Sequence, residues 1–389
     1  MLNGVRVVEL AIWVAGPGAG GVLADWGAEV IKVEGPAGDP MRNLFGNLGI
    51  EQARVPPYEL DNRGKRCVML DLRTDSARAD LDALLADADV FLTNLRPDAL
   101  ERLGFDHESV RARHPRLIYA SVTGYGLAGE DRDRAGYDIG AFWARSSIAH
   151  SMVPPGELPP GSRSGMGDHT TAISIVSGIC AALFDRTRTG EGRLVHTSLL
   201  RTGVYVNGWD LGIREYFGKI SATRPRTAMA APMINSYMAS DGRGFWLLGL
   251  EQDRHWPGVL RALEHEEWAD DERFRSAVTR AANASALITL MDTAFATHTY
   301  DHWVARFDEF DVWFAPINSL ADALADPQIT AAGAWVEMGV SDEAAAAGEK
   351  PYRLAASPVG FSGWDENPGP VESLGESTEF ILRRAGRRV

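Results

Sequence analysis

Cysteine is almost absent from this chain of 389 residues: Cys67 and Cys180 are the only two. They lie far apart and outside any CxxC pair, so neither a disulfide framework nor a cysteine zinc site follows, and a reducing cytoplasm is the expected setting. No run of about 18 apolar residues occurs, which argues against a membrane-spanning helix and a membrane partner. The opening Met1-Leu2-Asn3-Gly4-Val5-Arg6 passes straight into a strand pattern, without the basic region and apolar core of a secretory signal. Bases are also short, 39 against 53 acids, for a formal charge of −14. That disfavours nucleic acid as a partner, although local arginines can still hold a small anion. Of the nine histidines only His298 and His302 have HxxxH spacing, and the segment lacks the glutamate of HExxH. A helix starting near Thr299 or Asp301 would leave His298 outside it, so no metal is expected.

What is present is an ordinary globular composition, 45% hydrophobic and 24% charged, at a length that suggests two domains. The first 125 residues alternate strand-like and helix-like segments. Val5–Leu10, Glu29–Val33, Val68–Leu72, Asp89–Thr93 and Leu117–Val122 read as strands; Pro17–Trp26 and Ser76–Ala86 read as helices. That alternation predicts an α/β fold with a largely parallel sheet covered on both faces. Residues 150–168 are rich in Pro and Gly and read as a loop, followed by a helix over about Thr170–Arg186. Farther on, Asp241-Gly242 between apolar runs signals a hairpin. Helices near 253–263 and 283–297 and a strand near Val312–Ile317 suggest a second, mixed α+β domain. Residues 376–385 look helical.

Gly16, Gly18 and Gly21 spell G-x-G-x-x-G, and Glu34 follows 18 residues after Gly16. This imitates the fingerprint of an NAD-dependent dehydrogenase. In that fingerprint, however, the first glycine sits in the turn directly after the strand, and here Ala11–Ala15 intervene. A helix start with Pro17 at its first position, packed closely on the sheet, is the competing reading. A third keeps Trp13–Gly16 beside a ligand cleft at the strand's carboxyl end.

Several segments, in order, resemble the class III coenzyme A transferases, the CaiB/BaiF group. They are Leu2–Leu10, Ala15-Gly16-Pro17, Leu23–Glu34, Gly38-Asp39-Pro40-Met41-Arg42, Asn62-Arg63-Gly64-Lys65-Arg66, Asn94-Leu95-Arg96-Pro97, Leu103-Gly104, Ala120–Gly126, Gly136-Tyr137-Asp138 and Arg188–Gly192. The resemblance implies a Rossmann-like large CoA-binding domain over 1–205 and 340–389, a small α+β domain over 225–325, and linkers at 206–224 and 326–339. It also implies an interlocked, ring-like homodimer. The implied substrates are an acyl-CoA and a carboxylic acid, with coenzyme A bound as substrate and no tightly bound cofactor.

Asp168 matches the family's nucleophile; by itself the sequence also allows a helix N-cap. The implied chemistry is covalent, through an aspartyl anhydride and an aspartyl-CoA thioester. Gly167 and Ala15 are candidate oxyanion donors. Val14, Ala15, Arg42, Lys65, Asn94, Leu95, Arg96, Arg102, Tyr125, Arg134 and Tyr137 resemble positions that contact CoA. Lys65 stands out as one of only four lysines. The 2-methylacyl-CoA racemases share the fold but carry Gly-His-Asp where this chain has Gly136-Tyr137-Asp138. A phenol with a reference pKa of about 10 is a poor substitute base, so a transferase is expected.

Overall fold

The computed structural model describes residues 1–50, 54–339, 350–364 and 369–387. Six strands form one parallel sheet: β1 (Arg6–Leu10), β2 (Glu29–Glu34), β3 (Arg66–Met69), β4 (Val90–Thr93), β5 (Ile118–Thr123) and β6 (Leu194–Ser198), in the order β3-β2-β1-β4-β5-β6. The strands read as nearly unbroken apolar runs because both faces are covered. Alternate side chains serve different cores. Val7 joins Leu23, Val30, Leu92, Ile175 and Ile179 on one face. Val8 joins Ile31, Leu81, Leu85, Phe91 and Ile381 on the other. The first face is covered by helix α1 (Ala15–Asp25) and the long helix Met166–Thr189. The second is covered by the helices Asp75–Ala86 and Thr378–Arg384.

The long helix is, by length and composition, apolar enough to cross a membrane, although polar residues interrupt its apolar run. Its apolar side is accounted for by the sheet, since Ala172, Ile175, Val176 and Ile179 are buried there.

The chain divides into two compact units. One comprises Met1–His150, Pro159–Ile220 and Thr330–Val389; the other comprises Ser151–Leu158 and Ser221–Ile329. In the second, β7 (Ser236–Met238), β8 (Gly244–Leu247) and β9 (Phe314–Pro316) form an antiparallel sheet around Phe245, Phe274, Phe295 and Phe307. Gly242, at φ 80°, closes the expected Asp241-Gly242 turn. Two stretches expected as linkers are structured. The segment 206–224 contains the helix Gly208–Phe217, and 326–339 contains the helix Pro327–Ala331 and strand β10 (Trp335–Met338), which pairs with β11 (Tyr352–Ala355). Glycines at 208, 212 and 218 obscure the helical spacing of Trp209, Ile213 and Tyr216. Residues 340–349, expected to open the C-terminal part of the large domain, lie outside the described residues.

The glycine cluster lies inside α1, not in a turn after β1. A methyl group on Gly20 would come within 1.8 Å of the Glu9 carboxylate, and one on Gly21 within 2.8 Å of the Asp61 carbonyl. These glycines let α1 approach β1 and the helix α2 (Pro56–Asn62) closely. Pro17 is the third residue of α1, not its first. Glu34 cannot await a ribose. Burial would raise its pKa, yet the hydrogen bonds of Arg42 and the charge of Lys32 hold it down to about 2, and Tyr58 donates to it at 3.0 Å. The dinucleotide reading is therefore lost on packing grounds.

Candidate active site

Asp168 lies in the first turn of the long helix, which begins at Met166, not near Thr170. Gly165, at φ 84°, occupies the N-cap, so Asp168 is the third helical residue and caps nothing. Among the described residues no group donates a hydrogen bond to its carboxylate. An acid in a first turn is normally favoured by the helix dipole. Here burial, and then the neighbouring Asp138 carboxylate, outweigh that and push its pKa up to about 7, with His169 pulling the other way. Asp138 is buried in a π-helical segment, Tyr137–Ala144, and both its oxygens accept from the Gly167 N–H at 3.2 Å. Asp61, at the end of α2 and only 3% exposed, accepts from His169 Nε2 at 2.9 Å. Three carboxylates and one imidazole thus surround the start of the long helix.

Two strained residues border this cluster. Trp13 (φ 67°) and Tyr137 (φ 44°) both have left-handed backbones, an arrangement costly for bulky side chains. Their rings meet edge to face at 6.1 Å. Trp13 is held by its N–H donating to Asp39 Oδ1 at 3.1 Å, and Tyr137 is 60% exposed. Val14 and Ala15 follow directly. The N–H groups of Ala15 and Gly16 stand ahead of the first bond of α1, from Gly18 N–H to the Val14 carbonyl. Ala15 therefore remains an oxyanion candidate. Gly167 does not, because Asp138 already takes its N–H.

Two further expected ligands are otherwise engaged. Lys65 is 3% exposed, and its ammonium donates to Glu9 at 2.7 Å, the Pro17 carbonyl at 2.7 Å and Asn62 at 3.1 Å. Burial pushes its pKa down to about 8 against the pull of Glu9, and the three bonds leave its ammonium no donor for a phosphate. Asn94 spends its amide on Ile12, accepting from the N–H at 3.0 Å and donating to the carbonyl at 2.7 Å. It shapes the loop instead of reading a base. Arg42 forms a bidentate pair with Glu34 and lies over the Tyr58 ring.

The remaining candidates are better placed. The chain order reverses between β1 and β4, where open α/β sheets bind ligands beyond their carboxyl ends. A groove of about 370 Å³ lies beyond the carboxyl ends of β1 to β4, lined by Leu10, Ala11, Ile12, Gly35, Leu72, Arg73, Leu95 and Leu103 among others. Leu95 was expected; Leu72 and Arg73 were missed, because Leu72 reads as a strand end whereas β3 stops at Met69. Arg96 precedes the helix Pro97–Leu103 and Arg102 lies in its last turn, both exposed. Arg134 is exposed and pairs with Asp131; Tyr125 lies under the Arg145 guanidinium at 4.9 Å.

The family model described as CoA-transferase family III matches residues 2–369. The chain belongs to that family. It is 33% identical to the cinnamoyl-CoA:phenyllactate CoA-transferase of Clostridium sporogenes over 84% of this chain and 81% of that one. It is 30% identical to the (R)-2-hydroxy-4-methylpentanoate CoA-transferase of Clostridioides difficile over 99% and 96%. A crystal structure of a CaiB/BaiF family protein from Brucella suis superposes with a TM-score of 0.84, at 31% identity over 99% of both chains. This family III member is accordingly an enzyme of the CoA-transferase class, with CoA thioesters as substrates.

Proposed function

We propose that this transferase moves coenzyme A from an acyl-CoA to a carboxylic acid with Asp168 as the covalent carrier. The observation that supports this most is a half-buried carboxylate without hydrogen-bond donors among the described residues, at the start of a core helix of a family III fold. Such a group is poorly solvated, and a poorly solvated carboxylate is a stronger nucleophile. Its oxygen attacks the thioester carbonyl and CoA thiolate leaves, giving a mixed anhydride. The thiolate then attacks the Asp168 carbonyl, releasing the donor acid and leaving an aspartyl-CoA thioester. The acceptor carboxylate attacks that thioester, and thiolate leaves once more. It finally attacks the acceptor's carbonyl, which forms the new acyl-CoA and frees Asp168. Each attack develops an oxyanion, for which the Ala15 N–H is the remaining donor of the two proposed.

Mixing the enzyme with an acyl-CoA and a panel of carboxylic acids should yield a second acyl-CoA, with free donor acid in equal amount. Exchange of the acyl α-proton without acid exchange would instead indicate a racemase and overturn the reading.

The groove at the strand ends takes the nucleotide in this reading, with Arg73 in its lining and Arg96 and Arg102 in the segment between the lining residues Leu95 and Leu103. Among the described residues Arg73 is bound only by its pair with Asp71 at the surface, which is weak and easily exchanged for a phosphate. Arg73→Ala and Arg96→Ala are each expected to raise the KM for acyl-CoA roughly tenfold. kcat should change by less than twofold, as steady-state kinetics would show. The homodimer is part of the same proposal. Tyr205, Trp209, Tyr216 and Phe217 are exposed together along the helices Leu199–Val206 and Gly208–Phe217, an apolar surface of the kind a second copy would cover.

A further inference from the structure

The His169–Asp61 pair is built with more care than a surface ion pair needs. Asp61 is buried at the end of α2 and accepts from His169 Nε2. The imidazole is walled by glycines from two elements. A methyl group on Gly18 of α1 would lie 3.3 Å from both the Asp61 carboxylate and the ring's Cδ2. One on Gly165 would lie 3.3–3.4 Å from Cε1 and Nδ1. The ring, 44% exposed, is held by the carboxylate at one end and bordered by the two glycine backbones. Among the described residues, the other charges that bear most on it are acids, Asp168 beside it and Asp138 on the π-helical segment. Lys65, which feels Asp61, is committed to Glu9.

We infer that His169, seated by Asp61, is a positioning residue that keeps a positive charge beside Asp168 and so keeps that carboxylate ionised for attack and for departure. The inference rests on the proposed role of Asp168. A carboxylate next to Asp138 alone would be driven toward its protonated, inert form by like-charge repulsion. An imidazolium offsets that repulsion. It also stabilises the carboxylate released when thiolate attacks the acceptor's carbonyl. The surroundings favour the cation: burial of the imidazole acts against it, but the hydrogen bond and charge of Asp61, followed by Asp168 and Asp138, raise its pKa overall.

The test is the pH profile of kcat/KM for CoA transfer in the full-length enzyme, with His169→Gln, His169→Lys and Asp168→Asn in parallel. The active form is the carboxylate, so the rate rises with pH and then levels off. Gln keeps a donor for Asp61 but no charge, and should move the rising limb upward by about one unit. Activity at pH 6.5 would then fall about tenfold, with recovery at high pH. Lys restores the charge and should move the limb back. The His169 ring proton, followed by NMR in wild type and Asp61→Asn, should titrate above the usual imidazole value and fall toward it in the variant; this readout survives any loss of turnover. An unmoved limb in a folded His169→Gln enzyme, or a ring titrating at or below the ordinary value in wild type, overturns the inference. If either occurs while Asp168→Asn is inactive, only the role of the pair falls. If Asp168→Asn keeps full turnover, the reading of Asp168 falls with it.

Discussion

Asp168→Asn is expected to lower kcat by at least ~10⁴-fold, the scale on which covalent enzymes lose activity when the nucleophile is removed. The KM for acyl-CoA should change little, because the proposed nucleotide groove lies at the carboxyl ends of the strands. Hydroxylamine added during turnover should leave a hydroxamate on Asp168 in the wild type and none in the variant, readable by peptide mass. An Asp168→Ala enzyme that still exchanged CoA at the wild-type rate would end the covalent assignment. The same substitution should make the fold more stable. The folded pKa of Asp168, about 7, lies above the ordinary aspartate value of 3.8. Below 3.8 both states are protonated and the residue costs nothing. Between 3.8 and 7 the unfolded chain gains by ionising while the folded chain does not, so stability drains away as pH rises and the whole cost is present above 7. The melting temperature of Asp168→Asn should therefore exceed that of wild type by a margin that widens from pH 4 to pH 7 and then stays level. A margin that narrowed over this range would mean that the carboxylate is not held in a costly environment. Activity and stability are opposed at this residue, as expected of a group kept poorly solvated for its chemistry.

The sheet was legible because its strands carry their instruction locally. Val5–Leu10 and Asp89–Thr93 are apolar on both sides, which only a doubly covered strand requires, and each corresponds to an observed strand. The α1 glycines were half legible. Their displacement from the end of β1 argued against a nucleotide turn, but only the pairing of β1 with α1 and α2 shows what they make room for. The site was legible in one residue and opaque in its surroundings. Asp168 stands out behind the Gly-rich loop, although the helix begins at Met166, before the expected Thr170. The partners of Asp168 come from Asp61, 107 residues earlier, and from Asp138, and no local pattern joins them. His169 adjoins Asp168 in a helix, where neighbouring side chains point apart; its ring turns to Asp61 while its charge still reaches Asp168. Lys65 misled for a related reason. A scarce lysine in a basic motif suggests a phosphate ligand, whereas its fate is decided by Glu9 on a strand two positions away in the sheet.

That displaced lysine leads to the other large effect. Glu9 and Lys32 face each other in register across β1 and β2, and both are fully buried. Lys32 donates to Glu9 at 3.1 Å, Asp39 at 2.9 Å and the Ala11 carbonyl at 3.1 Å, while Lys65 donates to the other oxygen of Glu9. Two lysines and two carboxylates thus form a closed, neutral set, and its spare donors hold the carbonyls of Ala11 and Pro17 at either end of the Trp13–Ala15 loop. Removing one member of a buried set leaves a charge without its partner, at a cost of about 3–5 kcal/mol. Lys65→Met should therefore lower the melting temperature by roughly 10 °C. Glu9→Gln together with Lys65→Met should cost less than the sum of the two single changes, because the second removes the charge that the first strands. Strict additivity in that cycle would show that Glu9 and Lys65 do not share a bond. The loop supplies the Ala15 N–H and the strained Trp13, so loosening its Pro17 end should also raise the KM for acyl-CoA. That increase should exceed the one produced by a surface change of equal thermal cost if, as proposed, the lysine shapes the loop beside the site.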